Sequence, residues 1–101
     1  MHPEGGEGRS ARDVARLGAR LAAAEGFHVV ALDGRNVGVV DHVRYKRHAD
    51  HPDEIVVSRR FLLWRRRGVI PFDAVGNVDP DRERVYLTIP TSAIRRLTGE
   101  D

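Results

Sequence analysis

The sequence predicts a small, mainly β domain with one helix in front of it, and three features carry that expectation. Runs of β-branched residues alternate with short polar turns through residues 27–89. An alanine-, leucine- and arginine-rich segment with helical spacing precedes them. No apolar run is long enough to span a bilayer.

With 101 residues the chain has room for one domain and a modest core. It has no cysteine, which excludes disulfides, thiolate catalysis and zinc–thiolate sites. Residues 1–9 are polar and glycine-rich, read as a tail and unlike a signal peptide. The expected setting is cytoplasmic and bacterial. The formal charge is only +2, so no global field drives binding to nucleic acid. Lys46 is the one lysine among the 17 basic residues, an arginine bias that a GC-rich genome would also produce.

The helix is expected over residues 10–26. Ser10 is placed to cap it, with Asp13 three residues on. Val14, Leu17, Leu21 and Ala24 form one stripe, and Arg9, Arg12, Arg16 and Arg20 lie opposite. The arginine stripe reads as a solvated face or as a contact with anionic lipid, RNA or an acidic partner. The apolar stripe is narrow and lacks aromatics, which argues against a membrane-surface role. Gly26 is suited to end the helix.

Strands follow. Residues 27–32 form the first, and Asp33-Gly34 supplies a hairpin turn. Residues 37–45 form the second, where Val40, Val43 and Tyr45 break parity, so a bulge is expected at Asp41 or His42. Gly38 inside that strand implies a bend or a close backbone approach. Residues 46–53 read as a solvated, mobile polar loop. His48, His51, Asp50, Asp53 and Glu54 gather there, with His42 across the hairpin, but a loop tip lacks the fixed geometry of a metal site, and no cofactor or metal is expected.

Residues 54–59 are a strand. Next come Arg59, Arg60, four large apolar residues (Phe61, Leu62, Leu63, Trp64), and Arg65, Arg66 and Arg67. Four in a row cannot share one face of a flat strand. Either the segment is a wide hairpin tip, or some of these side chains are exposed. Phe61 and Leu63 could plug one end of the domain while Trp64 covers an edge. Leu62, Leu63 and Trp64 could instead form a docking patch rimmed by arginines, residue types favoured at binding hot spots. RNA binding would use Phe61 and Trp64 as stacking surfaces. Pro71 belongs at a strand end or sheet edge because it has no amide hydrogen for a ladder. Asp79-Pro80-Asp81-Arg82 is a turn before the closing strand 84–89. Residues 90–101 read as a short helix, capped at Thr91 or Ser92 and ended by Gly99, with a tail.

The turn and strand Asp33-Gly34-Arg35-Asn36-Val37-Gly38-Val39-Val40, together with Val69-Ile70-Pro71-Phe72-Asp73-Ala74-Val75, resemble the PRC-barrel family. That family includes the small β-barrel of the photosynthetic reaction-centre H subunit and the C-terminal half of a ribosome-maturation factor. The resemblance spans residues 27–89. It implies a six-stranded, SH3-like barrel used for protein contact. Arg59 and Arg60 stand where many members carry glycines. A closed or nearly closed antiparallel barrel would bury Val37, Val40, Ile55, Val57, Ile70, Val75, Val85 and Leu87.

No catalytic set stands out. Ser10, Ser58 and Ser92 lack a nucleophile-elbow context, and Gly34 and Gly38 precede a strand rather than a helix. Asp79 and Asp81 pair in a turn. His28, in an apolar run, reads as a structural histidine. A barrel this small fills its interior with side chains and leaves no room for a small-molecule substrate. The expected function is therefore non-catalytic: a protein-contact adaptor or a homodimerising module. Its contact residues would be Arg60, Leu62, Leu63, Trp64, Arg65 and Arg66. The alternative is an RNA- or ribosome-associated protein using the same arginines.

Overall fold

The computed structural model describes residues 10–48, 51–61 and 64–96, with positions 60, 61, 64, 65, 95 and 96 described as backbone alone. One helix, α1 (Ala11–Ala22), precedes seven strands: β1 (His28–Val30), β2 (Asn36–Arg44), β3 (Glu54–Phe61), β4 (Trp64–Pro71), β5 (Val75–Asp79), β6 (Arg84–Leu87) and the two-residue β7 (Arg95–Arg96). The strands form one sheet in the order β5-β6-β1-β2-β3-β4-β7.

The helix begins where its cap predicts. Ser10 Oγ accepts from the Asp13 amide at 3.0 Å. Asp13 in the first turn and Arg20 in the last both suit the helix dipole. The regular helix ends earlier than the expected residue 26. Ala23 and Ala24 donate to Arg20 and Leu21 carbonyls, tightening the chain into a turn that closes at Gly26, with φ +87°. Gly26 then donates to the Val40 carbonyl, and Val40 donates to Phe27, which sews the helix exit onto β2. Leu17, Leu21 and Ala24 are buried in the same core as the strands.

The sheet is mixed and open, which corrects the closed antiparallel barrel. β1 pairs in parallel with β6, and β5 and β7 are the two edges, with no ladder joining them among the described residues. The cause lies after Pro71, which ends β4. The 3-10 turn Phe72–Ala74 turns the chain away from β4, so the β5–β6 hairpin pairs on the far side of β1. The core residues fall as expected: Val40, Ile55, Val57, Ile70, Val75, Val85 and Leu87 are buried, and Val37 is half-buried against them.

Two local expectations hold. The β2–β3 ladder runs Val40↔Val57 and then His42↔Val56, which leaves Asp41 as the bulged residue. Gly38 has φ +134°, and a Cβ there would run into the Ser58 carbonyl of β3. Two others fail. The first strand shrinks to His28–Val30, and Leu32 beyond it is 65% exposed. The C-terminal helix is absent over the described residues. Thr91–Ala93 is one 3-10 turn, Ile94 returns to extended backbone, and Arg95 and Arg96 pair with Val69 and Gly68. Packing Ile94 on the core requires that extended return, which overrides the local capping signal.

Candidate binding site on the β3–β4 arm

The unusual stretch around residues 59–67 is a two-stranded arm. The β3–β4 ladder continues through Ser58↔Arg67, Arg59↔Arg66, Arg60↔Arg65 and Phe61↔Trp64. The β2–β3 ladder ends at Val39↔Ser58, and β7 meets β4 only at Gly68 and Val69. Beyond Ser58, then, the arm strands pair only with each other among the described residues. The ladder runs as far as Phe61↔Trp64, so these two positions are paired strand and not a wide hairpin tip. Leu62 and Leu63 lie outside the described residues, and the side chains of Arg60, Phe61, Trp64 and Arg65 are not described. The plug and docking-patch roles expected for them therefore have no structural counterpart here.

The register sets arginine opposite arginine twice. Like charges directly across a ladder oppose pairing. Arg59 and Arg66 are both exposed, and neither makes an ion pair among the described residues. Arg67, on the next position, sits 3.7 Å from the Asp41 carboxylate at the bulge.

Beside this pair is a cleft of about 190 Å³, lined by Val37, Val57, Arg59, Arg66, Arg67, Gly68, Thr91 and Ile94. Gly68 pairs with buried Val57 at its base. The far wall is the 3-10 turn at Thr91, held by the Thr91 hydroxyl donating to Asp33 Oδ1 at 3.0 Å. Desolvation raises the Asp33 pKa, but the Thr91 hydroxyl and the backbone amides of Thr91 and Arg35 outweigh it and hold the group below its ordinary value. Of the expected contact residues, Arg66 is the one whose side chain is described, and it lines the cleft. Arg59, Arg67, Gly68 and the Thr91–Ile94 wall were missed. The Arg59–Arg66 pairing follows from the strand register, and the wall arrives from the far end of the chain, so neither was legible in the sequence.

The histidine loop is exposed at Lys46, Arg47 and His48, as expected, but it is tied to the core at Pro52. Asp53 organises it. Its Oδ2 accepts from the amides of Lys46 at 2.6 Å and Arg47 at 2.8 Å, and its Oδ1 meets His48 Nδ1 at 2.6 Å. His48 stacks on His51 with ring centroids 4.2 Å apart, and His51 stacks on buried Phe72 at 4.3 Å. Pro52 is fully buried, and Phe72 donates to the Asp53 carbonyl. His48 and His51 do come together, but Asp50 lies outside the described residues and no group of three metal-binding side chains forms among those described. His28, read as a structural histidine, is exposed, and its Nδ1 lies 3.0 Å from Asn36 Nδ2.

The amides of Arg47 and Lys46, and then His48, overcome desolvation and hold the Asp53 pKa far below its ordinary value of 3.8. A depressed carboxylate stabilises the fold fully above the unfolded value, and the contribution fades as pH falls below it. Thermal melts should therefore show Tm falling progressively as pH drops below about 4 and on through the depressed folded value. Asp53→Asn should lower Tm at pH 7 and flatten that acid limb. An unchanged acid limb in the variant would assign acid sensitivity to other carboxylates.

Among the described residues no helix is long and apolar enough to cross a membrane. No family model matches the chain, and no curated protein matches it.

Proposed function

We propose that this chain is a non-catalytic binding module that docks an acidic surface of a partner protein at the root of the β3–β4 arm. The observation that supports this most is the Arg59–Arg66 pair, without an ion pair among the described residues, set beside the apolar lining of Val57 and Ile94. Arginines around a desolvated apolar spot are the usual make-up of a protein-docking hot spot. A carboxylate brought by a partner would also relieve the cross-strand repulsion that the free chain carries. The PRC-barrel resemblance, with its SH3-like barrel and protein-contact role, belongs to the same proposal. The small, mainly β fold around one core is what supports it, and the mixed, open sheet is a departure from such a barrel.

A second copy of the chain is the simplest partner, since Asp73 and Glu83 are exposed and acidic. Sedimentation equilibrium tests this. Association should weaken about tenfold in Arg59→Gln/Arg66→Gln, and it should fall between low and high salt. Changing Leu63 and Trp64 together to serine should weaken it as well if the arm tip takes part. A wild type that stays monomeric at millimolar concentration removes the second copy as partner.

RNA binding is the competing reading, favoured by arginine pairs at successive ladder positions, which alternate between the two faces of the arm. It predicts binding to single-stranded RNA with a log–log salt slope of about −0.7 per phosphate contacted. Tight, steeply salt-dependent RNA binding lost in the same double variant would displace the protein-docking proposal.

A further inference from the structure

We infer that the cleft recognises an extended acidic segment in which one apolar side chain stands two positions from a carboxylate; this rests on the protein-docking reading above. The ladder supplies the spacing. Val57↔Gly68 and Arg59↔Arg66 are successive pairs on one face, two residues apart along each strand. On a strand that step is about 6.5–7 Å. An extended partner has the same repeat, so its residues i and i+2 face the same side. Residue i over Gly68 therefore places residue i+2 or i−2 against Arg59 and Arg66.

The apolar part of the site is the side of the cleft lined by Val37, Val57 and Ile94 next to Gly68. The whole cleft, arginines included, has a volume of about 190 Å³, so an apolar side chain entering it rests on Val37 and Ile94 beside the guanidiniums. The Thr91 hydroxyl is already committed to Asp33, so the wall offers the ligand carbon rather than a spare donor. The charged half is a pair of exposed guanidiniums on facing strands. They can grip one carboxylate from two sides, a charge-assisted contact stronger than a neutral one. Arg67 is occupied in part by Asp41 and serves as the outer rim.

Three blocked peptides on the full-length chain test this by amide chemical-shift titration at low salt. Glu-Ser-Phe-Ser-Glu has the acid-to-aromatic spacing of two. Glu-Ser-Ala-Ser-Glu loses the anchor, and Ser-Glu-Phe-Glu-Ser loses the spacing. The first peptide should shift the resonances of Gly68, Ile94 and Thr91 and bind at least five times more tightly than either control. In Arg59→Gln/Arg66→Gln its advantage over the spacing control should vanish. Equal affinities for all three peptides would overturn the anchor-and-spacing inference and leave general acidic docking standing. If no peptide binds while the double variant still alters association, the inference falls and the docking reading survives. If single-stranded RNA shifts the same resonances and outcompetes every peptide, both fall together.

Discussion

Replacing Gly38 with alanine should destabilise the protein by about 3 kcal/mol or more, combining backbone strain with overpacking. Gly38 has φ +134°, a region closed to side-chain-bearing residues, and the added carbon would enter the Ser58 carbonyl. That carbonyl belongs to β3 at the last β2–β3 pair before the arm. Moving it displaces β3 and everything paired to it, including the Arg59–Arg66 pair. Urea unfolding should show a lower midpoint at unchanged slope if the fold is kept. The substitution should also weaken partner binding at concentrations where the chain is still folded, because the cleft shifts with β3. A loss below about 1 kcal/mol would mean that the two strands separate at little cost and that Gly38 does not fix their approach.

Leu21→Ala is the second large effect, with an expected loss of about 2–5 kcal/mol. Leu21 has no exposed surface and lies in one cluster with Val29, Val75 and Val85. The cavity left behind could not close without moving the helix, which reaches the sheet through β5. For a chain of this size such a loss lowers Tm by at least about 10 °C. Removing residues 1–26 should cost more, since Leu17 and Ala24 leave with Leu21. A truncated chain that melts at the wild-type temperature would make α1 an appendage. An isolated helix of 12 residues is marginal in water, so its order depends on this docking.

Local chemistry made much of the fold readable. Ser10 as a cap, the break in parity at Asp41, the crowded Gly38, and Pro71 at a strand end each follow from what one residue does to its own backbone. The same logic failed for the Thr91 helix and the histidine loop. Thr91 and Ser92 are good caps, but their segment must run extended again by Ile94 to reach the core and β4. Residues 46–53 look solvated by composition, yet Asp53 gathers their amides and Phe72, about twenty residues on, supplies the floor for His51. Neither partner can be inferred from the loop itself.

By itself the sequence determined a mainly β domain with one docked helix, the bulged β2 strand, the buried alternating positions and an arginine-flanked apolar stretch. These depend on periodicity and on single-residue backbone preferences, which act over a few positions. Tertiary structure alone decided that the sheet is mixed and open, that Arg59 pairs with Arg66, and that Thr91 and Ile94 line a cleft with Gly68. Those outcomes depend on which strand pairs with which and in what register. Register is set by packing the whole core at once, a choice that no local stretch of this chain encodes.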